Sequence, residues 1–444
     1  MKNKRLKVLI VAHEFSPIQG SESAVGWNLA TRLCKYHDVT VFYASGSQFR
    51  DNSYVEVIKN YFRTAPPIEG LTYINIDKPR MSKVFARLNS AFRKLTPIGL
   101  PVLYYLGYKY WQKSVYRKGK QLHQHENFDI VHQLTQITFR EPGYMWKLGI
   151  PFFWGPTGGT VSFPKAFRKN ISPVSRILTG IRAFSNYYQF RFVPRILNAN
   201  RKAAIIYSFS KKDAERLKKR AEGQVKIMSD VGTYTRPNIS TSLSGEEESL
   251  KGIWCGRLSD FKAPSILLKA LALSELKRQK IKFTIIGTGV LEESMKALAR
   301  ELKLENIEWI KKVEHATVFE MMAKTDFFVH TSIQEATSSV ITEALTMGLP
   351  VICHDAFGMS IAINEKCGIK VPFVSPEESI KGFHEAMEKI LLDRNLLREL
   401  KMGAYKRSTE ISWDVMAETI SNDYVMTATE NISSSDKVQI LSSL

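Results

Sequence analysis

Short apolar runs alternate with helical patterns along most of this chain of 444 residues. The runs are continuous rather than alternately apolar and polar, so strands formed from them would be buried on both faces. Strands of that kind form parallel sheets that helices cover on both sides. The sequence therefore predicts a doubly wound α/β fold that occurs twice. The runs are Leu6–Ala12, Val39–Ala44, Leu71–Ile76, Asp129–Leu134, Pro151–Trp154 and Ala203–Phe209 in the first half, and Gly252–Cys255, Phe283–Ile286, Ile307–Ile310, Phe327–His330 and Pro350–Cys353 in the second.

A polar stretch separates the two halves. Residues Asn238 to Glu248 are rich in Ser, Thr, Gly and acidic residues and have no apolar periodicity, which is typical of a linker. We therefore predict a Rossmann-like amino-terminal domain over residues 1–240 and a second one over 249–412. A further helical pattern follows at Trp413–Thr427, and the Ser-rich tail from Glu430 is predicted to be loose.

Positive charge is concentrated in the first half. The net charge is +20, and residues 1–250 hold 39 basic and 17 acidic side chains against 24 and 26 in residues 251–444. Between Pro142 and Lys212 there are twelve Lys or Arg residues and no Asp or Glu. This distribution predicts that the first domain faces an anionic partner.

Cysteine spacing and hydropathy bear on the compartment. Four widely spaced cysteines form no CxxC pair, which indicates neither a zinc site nor a disulfide framework and fits a reducing cytosol. The apolar run Val8–Ala12 is too short for a secretory signal, and no segment reaches the length that spans a bilayer. Cytoplasmic location is therefore expected.

Two segments interleave aromatic and basic residues. Ile171–Leu197 and Pro97–Lys120 both combine rings with Lys and Arg, as a surface lying on an anionic membrane would. The alternative is a solvated basic face over ordinary core aromatics. We predict peripheral contact with the inner face of the plasma membrane through the basic first domain.

Ligands of open α/β sheets bind beyond the carboxyl ends of the strands, so the loops there are the candidate sites. The loop after the first run contains Gly20, Ser21 and Glu22 and opens a helix at about Ser23. Free N–H groups at a helix start attract anions, and Gly20 allows a ligand close to the backbone. A plain turn explains the same residues equally well.

Two further features of the first half follow strands. His132 ends an apolar run, where a histidine is either a hydrogen-bonded core residue or a ligand contact. The next loop has three glycines that could wrap a ligand through its backbone. These are Gly155, Gly158 and Gly159.

In the second half, cations and glycines follow the strands. Arg257 and Lys262 lie five residues apart at a strand end, where a guanidinium and an ammonium can together hold a diphosphate. They would also neutralise charge on a departing nucleoside diphosphate without a metal. Gly256, Gly287 and Gly289 suit close approach to a nucleotide.

The stretch Glu335–Leu345 combines two carboxylates with a helix start. Thr337 is a plausible N-cap, and a helix from near Ser338 and Ser339 would direct N–H groups and its positive end at a diphosphate. Glu335 before that helix and Glu343 within it can accept hydrogen bonds from vicinal hydroxyls. The alternative is a capping carboxylate plus a solvated Glu.

Taken in order, these loops resemble the family 4 retaining glycosyltransferases of the GT-B fold. The resemblance rests on the glycine-containing first loop, the strand-end His132, GRL with Lys262, GTG at 287–289 and the Glu335–Glu343 spacing. It implies two Rossmann-like domains facing a cleft, an amino-terminal one for the acceptor and a carboxy-terminal one for the sugar nucleotide. It also implies that a last helix, residues 413–430, crosses back to the first domain. The loops around Gly20–Trp27 and Phe152–Gly159 look like those of bacterial members that build surface polysaccharides or glycolipids.

The resemblance also assigns roles by position. Arg257 and Lys262 would hold the donor diphosphate, Glu335 and His132 would contact the transferred sugar, and Glu343 would contact the ribose. The leaving phosphate itself would take the acceptor proton, so neither a dedicated base nor a metal or other cofactor is expected. Ala263 and the Ala336–Ser338 stretch depart from the family pattern, which leaves the donor open. The remaining donor contacts would be Gly20, Gly256, Gly287, Gly289, Thr337, Ser338 and Ser339, and the acceptor loops would contribute Ser21, Glu22, Gly155, Gly158 and Gly159.

The expected function is transfer of a sugar, with retention, from a nucleotide donor to a saccharide or lipid-linked acceptor. A sugar-nucleotide epimerase of the same fold, or a catalytically silent scaffold of a polysaccharide assembly complex at the membrane, would account for similar motifs. Nucleic-acid binding is not expected, because no nucleic-acid motif accompanies the charge.

Overall fold

A computed structural model describes residues 5–18, 21–46, 53–92, 100–234, 249–273 and 281–442. Within these ranges the chain forms two parallel β-sheets with helices on both faces of each. The predicted doubly wound α/β fold occurring twice is therefore confirmed. The predicted linker at Asn238–Glu248 lies outside the described residues.

The first sheet has seven strands among the described residues, in the order β3-β2-β1-β4-β5-β6-β7. Every neighbouring pair is parallel. The strands are β1 (Lys7–Ala12), β2 (Asp38–Ala44), β3 (Leu71–Ile76), β4 (Ile130–Thr135), β5 (Phe152–Thr157), β6 (Ala203–Ser208) and β7 (Gln224–Ile227).

The second sheet repeats this order with six described strands, β10-β9-β8-β11-β12-β13, which are again parallel. The strands are β8 (Leu250–Cys255), β9 (Ile281–Ile286), β10 (Ile307–Ile310), β11 (Phe327–His330), β12 (Val351–His354) and β13 (Gly368–Val371).

Helices connect the strands and cover the sheets. In the first half these are α1 (Ser21–Leu33), α2 (Ser53–Thr64), α3 (Arg80–Ala91), α4 (Pro101–Glu126), α5 (Pro173–Phe192), α6 (Pro194–Lys202) and α7 (Lys211–Lys218). In the second half they are α8 (Pro264–Ala272), α9 (Glu292–Glu301), α10 (His315–Ala323), α11 (Ser339–Thr346), α12 (Met359–Ala362), α13 (Pro376–Leu392), α14 (Arg394–Glu410) and α15 (Trp413–Ser442). No helix in the described ranges combines the length and apolar character needed to cross a bilayer.

The sequence misses two strands and misplaces one helix end. Both missed strands, β7 and β13, have four residues, lie at sheet edges and are partly exposed, so they lack the continuous apolar run that marks the other strands. The tail from Glu430, expected to be loose, continues the last helix to Ser442.

Each sheet reverses its strand order at one point, between β1 and β4 in the first and between β8 and β11 in the second. At such a point the loops after the two adjacent strands diverge to opposite faces and leave a crevice for a ligand. The sequence indicated three of these four loops, those after β1, β8 and β11, and it also indicated the loops after β5 and β9.

The chain passes between the two halves twice, and the two crossing segments are hydrogen bonded to each other. The N–H of Thr233 donates to the Ile411 carbonyl at 3.2 Å, and the N–H of Trp413 donates to the Thr233 carbonyl at 3.1 Å. Helix α15 then packs against the core beneath the first sheet through residues that include Trp413, Ile420 and Tyr424.

One segment of the first half packs into the hydrophobic core of the second half. Phe163, Phe167 and Ile171 are buried in the hydrophobic core of the second half. The ring of Phe167 stacks on that of Phe373, with centroids 4.5 Å apart. The stretch before α5 therefore joins the two halves by apolar contact.

Candidate functional site

Hydrogen bonds between loops fix the crevice of the second sheet. The hydroxyl of Thr331 donates to the Lys262 carbonyl at 2.8 Å, and that of Ser332 donates to the Phe261 carbonyl at 3.0 Å. The N–H of Ile333 also donates to the Phe261 carbonyl, at 2.8 Å. The loop after β8 is thus tied to the loop after β11, and their polar side chains are held opposite each other.

Lys262 and Glu335 face each other across this crevice. The ammonium of Lys262 forms an ion pair with Glu335 Oε2 and donates to Ser338 Oγ at 3.3 Å. Both charged side chains are about one-fifth exposed, so they are accessible from the cleft while partly shielded from water. The structure therefore brings together three of the residues that the sequence indicated.

Helix α11 begins beside this ion pair. Its N-cap is Ser338, one residue later than the Thr337 expected from the sequence, and the Ser338 side chain makes no capping bond. Backbone N–H groups at the start of α11, including that of Ser339, therefore lack the partner that a capping side chain would supply. The N–H of Thr337 is already taken, because it donates to Asp230 Oδ1 at 2.9 Å.

The two remaining predicted side chains of this site lie on the loop after β8 and on α11. Arg257 lies exposed just beyond the end of β8. Glu343, one turn inside α11, is mostly buried and its Oε1 lies 3.0 Å from His315 Nε2. Glu335 therefore precedes the start of α11 and Glu343 lies within the helix, as the sequence predicted.

Two glycines of the second half allow close contact between neighbouring loops. Gly287 has φ +148°, and a Cβ there would lie 1.8 Å from the Gly256 carbonyl oxygen. A Cβ on Gly289 would lie 2.1 Å from the Leu258 carbonyl oxygen. These glycines let the loops after β8 and β9 pack together, and their contact with a nucleotide stays a prediction.

Two buried groups at this site escaped the sequence reasoning. His330 is fully buried at the end of β11, its Nε2 lies 3.9 Å from Glu335 Oε2, and neither ring nitrogen has a hydrogen-bond partner among the described residues. Burial and the nearby Lys262 charge hold the pKa of His330 well below its usual value, so the ring is neutral. Asp230 is also fully buried, and burial raises its pKa to about 7. The only signal for His330 in the sequence was its position at the end of an apolar run; His132, which was expected at such an end, lies in the middle of β4.

A second polar cluster follows β1 at the crevice of the first sheet. Glu14 accepts hydrogen bonds from the Tyr54 hydroxyl and from His13 Nδ1, the latter at 3.1 Å. Its backbone N–H donates to Thr135 Oγ1 at 3.1 Å, which ties the loop after β1 to the end of β4. Burial works to raise the pKa of Glu14, but its hydrogen bonds and the His13 and Lys78 charges outweigh this and lower it.

Glu22 lies in the first turn of α1 and is hydrogen bonded to the loop after β4, at the same crevice. Its Oε1 accepts from the N–H of Ile137 at 2.8 Å. Burial, and then the negative charge of Glu14, raise the pKa of Glu22 to about 8. The first crevice therefore holds one ionised carboxylate and one carboxyl group that keeps its proton at neutral pH.

This raised pKa makes stability depend on pH. Between the ordinary carboxyl pKa and about pH 8 the folded protein keeps a proton that the unfolded chain has lost, so stability falls as pH rises through that window. Glu22→Gln removes the titration and retains an acceptor for Ile137. We expect Glu22→Gln to melt higher than wild type at pH 8, with the advantage shrinking toward pH 4.5. The exposed Glu418→Gln is the matched control, and an advantage that does not change with pH would contradict the assignment.

His132 does not face either crevice. It is 0% exposed, its Nε2 donates to the Gly155 carbonyl at 2.7 Å, and its Nδ1 accepts from the Tyr424 hydroxyl at 2.5 Å. Burial lowers its pKa to about 4. The structure therefore shows the hydrogen-bonded core histidine that the sequence also allowed. Its contact with a transferred sugar stays a prediction without support from this geometry.

The glycine loop after β5 is occupied by a side chain of the protein itself. The carboxylate of Asp213 accepts from the N–H groups of Gly159, Thr160 and Val161 at 2.8–3.2 Å. A Cβ on Gly158 would lie 2.5 Å from the Phe209 ring, and Gly155 has φ +122°. This loop thus folds around Asp213, which accepts from these three N–H groups, and contact of Gly155, Gly158 and Gly159 with an acceptor stays a prediction.

Two expectations lie beyond what these contacts test. Gly20 lies outside the described residues, and Ser21 begins α1. Within the described ranges no group of three or more His, Cys, Asp or Glu side chains has the geometry to hold a metal ion. The expectation of metal-free chemistry stays a prediction.

Comparison with known sequences finds a family match in the second half. Residues 236–407 match the family described as Glycosyl transferases group 1. A D-inositol 3-phosphate glycosyltransferase of Jonesia denitrificans is 23% identical over 237 residues, which cover 49% of this chain and 53% of that protein. An N-acetylgalactosamine-N,N'-diacetylbacillosaminyl-diphospho-undecaprenol 4-alpha-N-acetylgalactosaminyltransferase of Campylobacter jejuni is 29% identical over 157 residues, 35% of this chain and 40% of that protein. The chain thus spans about half the length of these curated relatives, or less.

Solved structures extend the likeness of fold to almost the whole chain. The lipopolysaccharide outer core galactosyltransferase WaaB aligns with a TM-score of 0.60 at 14% identity, covering 95% of this chain and 99% of that one. Anabaena HepE, solved in complex with UDP, aligns with a TM-score of 0.55 at 14% identity, covering 99% and 100%. At this identity the alignments establish the fold, which is the GT-B arrangement of two Rossmann-like domains.

Proposed function

We propose that this protein is a retaining glycosyltransferase that moves a sugar from a nucleoside-diphosphate donor to a saccharide or lipid-linked acceptor. The observation that carries the proposal is the Lys262–Glu335 ion pair beside the start of α11, at the crevice of the second sheet. A cation, free backbone N–H groups and a carboxylate then meet where an open α/β sheet binds its ligand. The match of residues 236–407 to glycosyl transferases group 1 supports the same ligand class.

In this proposal the donor spans the second crevice. Lys262, the exposed Arg257 and the N–H groups at the start of α11 bind the diphosphate. Glu335 accepts hydrogen bonds from hydroxyls of the sugar, and Glu343 accepts them from the ribose. Because a dianionic diphosphate attracts Lys262 more strongly than one carboxylate does, donor binding frees Glu335 for the sugar.

The reaction then needs one group transfer and one proton transfer. The bond between the anomeric carbon and the β-phosphate oxygen breaks, and a bond to the acceptor oxygen forms on the same face of the sugar. The acceptor proton passes to the departing phosphate oxygen, and Lys262 and Arg257 stabilise the charge that develops there. The first crevice, with ionised Glu14 and protonated Glu22, would position the acceptor hydroxyl through hydrogen bonds.

Product analysis tests this proposal. The protein is incubated with isotope-labelled UDP-, GDP- and ADP-sugars, with and without simple saccharides and a lipid-diphosphate sugar in membrane vesicles. We expect acceptor-dependent release of nucleoside diphosphate and a product with the donor's anomeric configuration. An isomerised nucleotide sugar formed without acceptor would instead indicate an epimerase, and no turnover of any donor would indicate a silent scaffold. We also propose that this chemistry takes place at the inner face of the plasma membrane, and the excess positive charge of the first half supports this location.

A further inference from the structure

Helix α5 carries most of its large apolar side chains on its outer face. The exposed positions follow helical spacing, and Ile177, Ile181 and Phe184 are 64%, 61% and 72% exposed. A surface helix of a globular protein ordinarily turns such a stripe toward the core. The full set of exposed apolar or aromatic side chains on α5 is Val174, Ile177, Leu178, Ile181, Phe184, Tyr187, Tyr188 and Phe192.

Polar residues occupy the inner face of the same helix. The buried positions of α5 include Thr179 and Asn186. Asn186 accepts from Arg140 Nε at 2.8 Å and donates to the Gly159 carbonyl at 3.0 Å. These bonds fix the rotation of α5 about its axis, so the outward stripe is built into the fold.

Helix α3 is inverted in the same way. Its buried residues are Ser82, which donates to the Gly107 carbonyl at 2.6 Å, and Asn89, which accepts from the Leu100 N–H at 2.6 Å. Its outer face exposes Met81, Val84 and Leu88, and the exposed Leu100 and Val102 at the start of α4 extend that face.

One buried arginine joins the two surfaces. Arg140 donates to Asn186 on α5 and, at 3.3 Å, to the hydroxyl of Tyr105 in the first turns of α4. Helices α3 and α4 pack against each other along their length, so α5 and the α3–α4 pair lie side by side. We call the exposed faces of α3, α5 and the start of α4 the inverted face.

The charge around this face has one sign. No Asp or Glu occurs from Lys78 to His125 or from Pro142 to Lys212. Exposed cations lie on both helices among the apolar side chains, and they are Arg80, Lys83, Arg87, Arg176, Arg182 and Arg191. A surface that combines exposed rings and aliphatic side chains with cations alone is complementary to an anionic lipid headgroup layer and the acyl boundary beneath it.

We propose that the inverted face docks on the surface of an anionic lipid bilayer, with α3 and α5 lying in the plane of the interface. The side chains of α5 enter the headgroup boundary, and the Lys and Arg residues pair with lipid phosphates. This inference concerns binding alone and does not depend on the proposed glycosyl transfer. It also places the first crevice near the lipid surface, since Tyr104 of α4 and His13 of that crevice line one pocket with Ser82 of α3.

Vesicle flotation tests the docking. The full chain is mixed with phosphatidylcholine vesicles that contain or lack phosphatidylglycerol, as wild type and as the double variant Ile181→Glu, Phe184→Glu. We expect wild type to bind the anionic vesicles at least tenfold more tightly than the neutral ones, with binding weakened by high salt. The double variant should lose at least tenfold of that binding.

One control variant and two contrary outcomes complete the test of docking. Val290→Glu replaces a side chain that is 92% exposed in the second half, and it should bind vesicles as wild type does. Because all three positions are exposed, melting curves should stay unchanged. Equal binding of the double variant and wild type to anionic vesicles would overturn the proposal. Absence of binding to any vesicle, together with a concentration-dependent dimer that the double variant abolishes, would assign the face to a second copy of this chain.

Discussion

Lys262→Ala is expected to lower kcat/KM for sugar transfer by about two to three orders of magnitude, the cost typical of removing one group that stabilises a developing oxyanion. Lys262 places its ammonium at the start of α11, and its contacts with Glu335 and Ser338 hold it in the crevice. Without it, neither the ground-state diphosphate nor the departing one is neutralised at that point. Initial rates at saturating and limiting donor measure the effect.

A neighbouring lysine provides the control. Lys269 lies exposed on α8, the helix that follows the Lys262 loop, and its replacement by Ala removes the same charge away from the crevice. We expect Lys269→Ala to retain wild-type rates. If Lys262→Ala stays within threefold of wild type, the assignment of the diphosphate to this loop is wrong.

Asp326→Ala is expected to destabilise the second half by about 3–5 kcal/mol, because it leaves a buried lysine without its counter-ion. Asp326 Oδ1 accepts from Lys401 Nζ at 3.2 Å, and Oδ2 accepts from the Lys251 N–H at 2.9 Å. Both charged side chains are less than one-tenth exposed. The pair fixes α14 to the edge from which β8 and β11 start, and urea unfolding followed by tryptophan fluorescence reports its loss.

Two further variants separate lost charge pairing from lost packing. Asp393 caps α14 through an exposed hydrogen bond to the Leu396 N–H, so Asp393→Ala should cost only about 1 kcal/mol. The double variant Asp326→Ala, Lys401→Met leaves no unpaired charge and should recover much of the loss. A cost for Asp326→Ala no greater than that of Asp393→Ala would contradict this account.

Most of the fold followed from the sequence because eleven of the thirteen described strands contain a short apolar run, which the sequence shows directly. Strands β7 and β13 did not, since each is a four-residue edge strand interrupted by a lysine, QVKI and GIKV, and lacks such a run. For Ile171–Leu197 the mixture of rings and cations indicated a surface segment but not the direction in which a helix there would turn it, and the sequence did not single out α3. That direction depends on Asn89, Asn186 and Arg140, whose partners are distant in sequence.

The candidate site was predictable to a similar degree. The Lys262 loop and the Glu335 stretch each carried their own pattern, and the sheet order brings them together. His132 and His330 illustrate what a pattern cannot decide, because both belong to an apolar strand. One is bonded to Gly155 and Tyr424 in the core, and the other lies beside the Lys262–Glu335 pair. Only the neighbours contributed by other elements distinguish them.

Donor binding tests the central claim most directly. Wild type and Lys262→Ala are titrated with UDP-, GDP- and ADP-sugars while their thermal unfolding is followed, since a ligand that binds only the folded state stabilises it by about 2.7 kcal/mol at one hundred times its Kd. We predict that at least one nucleotide sugar raises the melting temperature of wild type, and that Lys262→Ala loses that rise. If no nucleotide sugar stabilises wild type, or if one stabilises both proteins equally, the crevice between β8 and β11 does not bind the donor through Lys262.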